Sequence, residues 1–257
     1  MSRRFIDLSV PLAAGIRSDP PGLEPKIEYL DHFAGVADVL KMFPGMTRDD
    51  LPEGQAWAVE RVQMTTHNGT HLDAPWHYHS TMDGGKPSAT IDEIPLDWCF
   101  RPGVKLDFRD KPDGYVCTAR DVEIELQRIG YRLQPFDIVV VNTAAGVAYG
   151  RDDYVMKGCG MGREATLYLT ERGVRVTGTD GWSWDAPFPY TLKRIQETGD
   201  WSLFWEGHKA GRVRGYCHIE KLHNLEALPP FGFTVCCFPV KVEKASAGWT
   251  RAVAILD

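Results

Sequence analysis

Thr66-His67-Asn68-Gly69-Thr70-His71-Leu72-Asp73-Ala74-Pro75-Trp76-His77-Tyr78-His79 holds four of the chain's eight histidines, with an aspartate among them. A lone histidine is ordinarily a surface or packing residue. Four in so short a run, with a carboxylate at ligand spacing, is more than packing requires. His67, His71 and Asp73 are ligand types for a divalent cation, and His77 is left over to move protons. Gly69 lets the backbone bend to converge the ligands, and Pro75 interrupts regular structure after them. The run therefore predicts ligands on a loop, and a metal-dependent hydrolase as the first functional hypothesis.

Upstream, Trp57–Thr66 is β-rich and partly alternating, which predicts the strand that delivers this loop. Residues 11–56 are rich in Pro, Gly and Asp and predict a loop-rich N-terminal arm, with a short helical turn at Asp38–Met42. Phe5–Val10 opens the chain as a strand. Downstream, Val104–Phe108 predicts a short strand. Thr118 and Asp121 have the spacing of a capping box, so a helix starts there and stops at Gly130. Asp137–Asn142 is a continuous apolar run, as in a strand buried on both faces. Arg163–Arg172 reads as a helix ended by Gly173, and Val174–Thr179 as the next strand. Val213–Ile219 predicts another. Phe233–Glu243 and Trp249–Leu256 predict an antiparallel pair around Ala245–Gly248. Strands and helices alternate with no compositional break or repeat, so the reading is α/β: one domain over residues 1–257 with mixed β-sheets.

At 43% hydrophobic and 25% charged, the composition can bury a large core. A net charge of −6 argues against nucleic acid as a partner. No apolar stretch approaches the length of a membrane span, and the N-terminus lacks the apolar segment of a secretory signal. A cytoplasmic protein is expected. The six cysteines contain no C-x-x-C pair, so free buried thiols are expected rather than a thiolate zinc site. A G-x-S-x-G elbow and a Walker A loop are also missing.

A second cluster lies far downstream, at Trp205-Glu206-Gly207-His208 and His218-Ile219-Glu220. On a strand, His218 and Glu220 point to one face. Together with His208 they are the natural source of further ligands. His77 is the expected acid/base, in preference to His79, and Trp76 is a candidate to stack on substrate. Nitrogen and oxygen ligands without thiolate suit Mn or Zn.

His67-Asn-Gly-Thr-His71-Leu-Asp73-Ala-Pro-Trp-His77 resembles the H-x-G-T-H-x-D-x-P-x-H signature of the cyclase family of metal-dependent hydrolases. That family includes bacterial kynurenine formamidase and isatin hydrolase. Phe5–Ser9, Trp205–His208 and Glu220–Leu225 resemble its terminal blocks, so the resemblance spans nearly the whole chain. It implies a swivelling β/β/α fold, assembled as dimers or tetramers through the N-terminal arms. By motif position it implies His67, His71 and Asp73 as first-site ligands and His77 as the catalytic histidine. His208 and Glu220 would belong to a second site of the formamidase type. Isatin hydrolase-like members bind a single Mn with help from a Gln in the C-terminal block. His218 is the best match to that Gln, so this chain departs from the pattern, and one ion and two remain alternatives. The implied activity is hydrolysis of a small, aromatic or cyclic amide. The same residues would also serve a lactone hydrolase or a lyase, or a metal-binding protein without catalysis.

Overall fold

The polypeptide folds around one long, twisted sheet, seen in a computed structural model that describes residues 3–256. Met1, Ser2 and Asp257, which the one-domain reading of 1–257 includes, lie outside the described residues. In chain order the strands begin with β1 (Arg4–Asp7), β2 (Lys26–Leu30), β3 (Val59–Gln63), β4 (His71–Asp73), β5 (Thr81–Met82), β6 (Lys86–Pro87), β7 (Phe100–Asp107) and β8 (Val116–Cys117). They continue with β9 (Ile138–Asn142), β10 (Gly160–Met161), β11 (Val176–Thr179), β12 (Cys217–Glu220), β13 (Phe231–Cys236), β14 (Ala247–Trp249) and β15 (Val253–Leu256). Nine of them form the main sheet in the order β1-β15-β13-β7-β9-β11-β12-β4-β14. The other six pair off as the ribbons β2–β3, β5–β6 and β8–β10. The helices are α1 (Val36–Met42), α2 (Pro75–Tyr78), α3 (Ala119–Ile129), α4 (Arg163–Glu171), α5 (Phe188–Thr198) and α6 (Glu206–Ala210).

β7, β9, β11 and β12 run parallel at the centre, and antiparallel strands flank them. β9 shows why its sequence is apolar throughout. Ile138 and Val140 enter the core on one face of the sheet, while Val139 and Val141 enter the core on the other. The second core is covered by α3 and α4 through Val122, Leu126, Ala165 and Leu169. α3 begins where the capping box predicts. Thr118 Oγ1 accepts from the Asp121 amide, and the Asp121 carboxylate accepts from the Thr118 amide at 2.9 Å. Gly130 closes the helix with φ +68°.

Several expectations need correction. His71 and Asp73 lie on a strand, β4, rather than on a loop. The arm contains a strand, β2, that pairs with β3 outside the main sheet, and β1 belongs to the main sheet itself. β2 is largely exposed and carries no one-sided burial to make it readable, whereas β3 falls inside the strand expected over Trp57–Thr66. The strand expected over Val213–Ile219 is shorter and later, at Cys217–Glu220. β13 and β15 pair antiparallel as expected. Trp249, however, belongs to β14, which crosses to the far edge of the sheet and pairs with β4.

Candidate metal centre

The antiparallel register of β4 on β12 builds the site. Asp73 stands opposite His218, Leu72 opposite Ile219, and His71 opposite Glu220. Alternation sends Leu72 and Ile219 into the core on one face. The four polar residues therefore share the other face, where they are buried. An H-x-D strand laid against an H-x-E strand thus brings two imidazoles and two carboxylates together. α2 follows β4 immediately and carries His77. The turn before β4 carries His67, with Gly69 at φ +61° making that turn possible.

Two groups of potential ligand atoms result, and Asp73 is common to both. The Asp73, His208, His218 and Glu220 atoms lie within 4.8 Å of one another, as do those of His67, Asp73 and His77. His71 Nε2 stands between the carboxylates, 3.3 Å from Asp73 Oδ1 and 3.5 Å from Glu220 Oε2. This grouping differs from the expected set of His67, His71 and Asp73. His67 Nδ1 lies 2.9 Å from Asp73 Oδ1, and its Nε2 lies 3.0 Å from Ser246 Oγ. His218 Nε2 lies 3.1 Å from Asp73 Oδ2 and 3.2 Å from Glu220 Oε1.

The far nitrogens of three rings are tied down. His71 Nδ1 donates to the Gly69 carbonyl at 2.9 Å. His208 Nδ1 meets Asp185 Oδ2 at 2.5 Å, and Asp185 also accepts from the Gly207 and His208 amides. His218 Nδ1 faces the hydroxyls of Tyr78 and Tyr216, at 3.0 and 3.3 Å, and these in turn donate to backbone carbonyls. Each ring therefore turns Nε2 toward the carboxylates, which is how proteins orient ligating histidines. Gly207 permits the close approach of α6. A Cβ there would sit 2.3 Å from the Met161 carbonyl oxygen.

The donor set fits a divalent cation. Asp73 and Glu220 are buried, and their side-chain ion partners are imidazoles. Both Asp73 oxygens and His71 Nε2 are buried and left without a hydrogen bond. Burial alone would lower His71 and His218, but the two carboxylates outweigh it and raise each ring to about 9. A cation would displace those protons and neutralise the carboxylates. Oxygen and nitrogen ligands without thiolate remain compatible with Mn and with Zn.

His77 behaves differently. Its Nε2 is 3.9 Å from Asp73 Oδ2, and burial pushes the ring down to about 4, so it is a neutral base at pH 7. Trp76 is 45% exposed on the outer side of α2. The indole beside His77 is instead that of Trp205, with ring centres 5.1 Å apart. His79 turns away and interacts with Thr81. Asp185, Tyr78, Tyr216 and Ser246, which contact the histidines of the site, are positions that the sequence reading did not single out. Tyr78 could have been suspected inside the histidine run, and Asp185 at the end of Asp180-Gly-Trp-Ser-Trp-Asp185. Tyr216 and Ser246 carry no local signal.

Beneath the run, Lys221 is buried and pairs with Asp19, and its Nζ also donates to the His67 carbonyl at 3.0 Å. Asp19 accepts from Asn68 as well, so this ion pair joins the N-terminal segment to the ligand turn.

Fold and site together define an α/β protein with a buried imidazole–carboxylate centre on one face of its sheet. The chain belongs to the cyclase family: the family model described as "Putative cyclase" matches residues 6–186. Isatin hydrolase A from Labrenzia aggregata, bound to benzyl benzoate, is similar in fold, with a TM-score of 0.76 and 21% identity over 99% of this chain and 94% of that one. Isatin hydrolase A from Ralstonia solanacearum gives 0.76 and 22%, over 99% and 92%. A "predicted metal-dependent hydrolase" from Bacillus stearothermophilus gives 0.64 and 19%, over 99% of each chain. The fold is thus the swivelling β/β/α architecture expected.

Proposed function

We propose that this protein is a divalent-metal amidohydrolase that cleaves the C–N bond of a small cyclic or aryl amide. One observation carries the reading. Two buried carboxylates and the Nε2 atoms of His71, His208 and His218 converge beside a neutral His77. A bound cation would polarise the substrate carbonyl and lower the pKa of water at the site. His67, His71, Asp73, His208, His218 and Glu220 are the residues that would hold one ion, or two sharing Asp73, with Mn and Zn both suited. His77 Nε2 accepts the proton of the attacking water and returns it to the departing nitrogen. Asp73, at 3.9 Å, stabilises the imidazolium between those steps. Aromatic rings at the site, Trp205 foremost, favour a flat substrate, and the isatin hydrolases of similar fold make an isatin-type lactam the first candidate. An N-formylated arylamine is the second.

We propose further that two or four copies assemble through the N-terminal arm. All six cysteines are free, which supports a reducing, cytoplasmic setting. Among the described residues, no helix is long and apolar enough to cross a membrane.

The test is turnover of isatin and of N-formylkynurenine by Mn- and Zn-loaded protein, alongside His77→Ala. Loss of the base should lower kcat by about 10²–10⁴-fold while the metal content stays unchanged. Turnover of both substrates no faster than that of the variant would refute the amidohydrolase reading. Loss of metal from the variant would instead place His77 among the ligands.

A further inference from the structure

Lys221, the residue after β12, is costly to keep where it stands. Its backbone is left-handed, with φ +57°, a conformation that glycine adopts freely and other residues seldom do. Its side chain is 1% exposed, so an ammonium group sits in the interior. A buried charge is unfavourable unless paired and hydrogen-bonded, and a strained backbone persists only where its surroundings enforce it. Glycine here would avoid both penalties. The end of β12 does not need the amine. The Lys221 amide donates to the Gly181 carbonyl at 3.0 Å, and its carbonyl accepts from Thr70 Oγ1 at 2.7 Å, bonds that any non-proline residue would make. Glu220 is fixed separately, by its pairing with His71 and by the Trp184 amide, which donates to Oε1 at 2.9 Å.

What the amine reaches is the turn before β4. Nζ donates to the Asp19 carboxylate and, at 3.0 Å, to the His67 carbonyl. Asp19 also accepts from Asn68 Nδ2 and Ser18 Oγ, each at 3.0 Å, and from Trp182 Nε1 at 3.3 Å. Asn68 Nδ2 donates in turn to the Leu23 carbonyl at 2.7 Å. A buried ammonium and a buried carboxylate thus grip two successive residues of the turn, His67 and Asn68. His67 needs that support more than the other imidazoles of the site. His71 and His218 lie on strands, and His77 and His208 on helices. His67 lies on a turn, with its side chain 29% exposed. A group carried on a loop is held less precisely than one on a strand or helix.

We propose that Lys221 and Asp19 are positioning residues that hold His67 against Asp73 for the metal, acting through the backbone of the ligand turn. The N-terminal segment that bears Asp19 thereby contributes to the metal centre without supplying a ligand. This assignment rests on the metal-binding part of the proposed function and not on the reaction.

The test is a double-mutant cycle on zinc affinity, read by chelator competition with the whole chain. Lys221→Met alone leaves the Asp19 carboxylate buried without its cation, which destabilises the fold. The variant used is therefore Asp19→Asn with Lys221→Met, which removes both charges at similar volume. It should bind zinc about tenfold more weakly than the parent protein. His67→Ala alone should weaken zinc at least as much. Added to the charge-free variant, His67→Ala should cost no more than about twofold further, because the ligand it removes is already displaced. A pair that merely stabilises the fold would lower affinity by the same factor with or without His67. Unchanged affinity in the charge-free variant or in His67→Ala, or losses that multiply, overturns the assignment and leaves the metal centre standing. A parent protein that binds no zinc overturns both. Turnover is scored separately. A protein that opens no amide, yet gives the expected zinc cycle, keeps this assignment and loses the amidohydrolase reading.

Discussion

At the scale of single residues, what separates a ligating imidazole from an ordinary buried one is the partner of its far nitrogen. His208 is the clearest case. Asp185 receives its Nδ1 and also the amides of Gly207 and His208, so one carboxylate fixes both the ring and the start of the helix that bears it. Asp185→Asn preserves the shape but weakens the acceptor. Metal affinity, measured by chelator competition, should fall by about 10–100-fold, with the melting temperature of the metal-free protein nearly unchanged. Undiminished affinity would show that Asp185 only packs. The histidine run made the gathering of His67, His71, Asp73 and His77 legible, because ligand-type residues close in sequence stand out against composition. Asp185 was not legible. Its partner is remote in sequence, and an aspartate that caps a helix looks the same in a sequence as one that orients a ligand.

At the scale of elements, the site follows from register. A slip of β4 by one residue against β12 would turn Leu72 to the polar face and send His71 and Asp73 into the core. The alternation of His218 and Glu220 was readable, but its cross-strand partner was not, since pairing of β4 with β12 is a property of the sheet. β9 and α3 were readable because each carries a local signature, an unbroken apolar run and a capping box. β14 was misplaced because adjacency in sequence suggested a hairpin. A second long-range link ties β9 to β11. Asp180, at the end of β11, accepts from the amide and hydroxyl of Thr143, just past β9. Burial raises its carboxyl from the ordinary 3.8 to about 7, against the pull of those hydrogen bonds. The folded protein therefore holds a proton that the unfolded chain releases. The resulting stabilisation is fully present below about pH 4, declines as pH rises, and is lost above about pH 7. Asp180→Asn should flatten the fall in stability between pH 4.5 and 7.5, measured by urea unfolding of parent and variant. An equally steep fall in the variant would mean that Asp180 is ionised in the folded protein.

At the scale of the whole molecule, the nine-stranded sheet accounts for the core but leaves the arm unexplained. β2 and β3 form a two-stranded ribbon outside the main sheet, and a lone hairpin is marginally stable in water. The same segment exposes Tyr29 at 67%, Phe33 at 57%, Met42 at 65% and Phe43 at 54%, with Trp57 and Val62 nearby. We propose that so many large apolar side chains on one excursion form the surface through which copies associate. A second copy of the chain is the partner that needs no further assumption, and closed symmetry lets the arms pack reciprocally. Light scattering after size exclusion should therefore give twice or four times the 28.8 kDa chain mass at micromolar concentration. Phe33→Asp combined with Trp57→Ala removes two of these contacts without touching the metal ligands. That variant should run as a monomer with its metal content retained and its thermal transition lowered, since a folded assembly is stabilised by its own association. A parent protein of single-chain mass would break the link between the exposed arm and self-association.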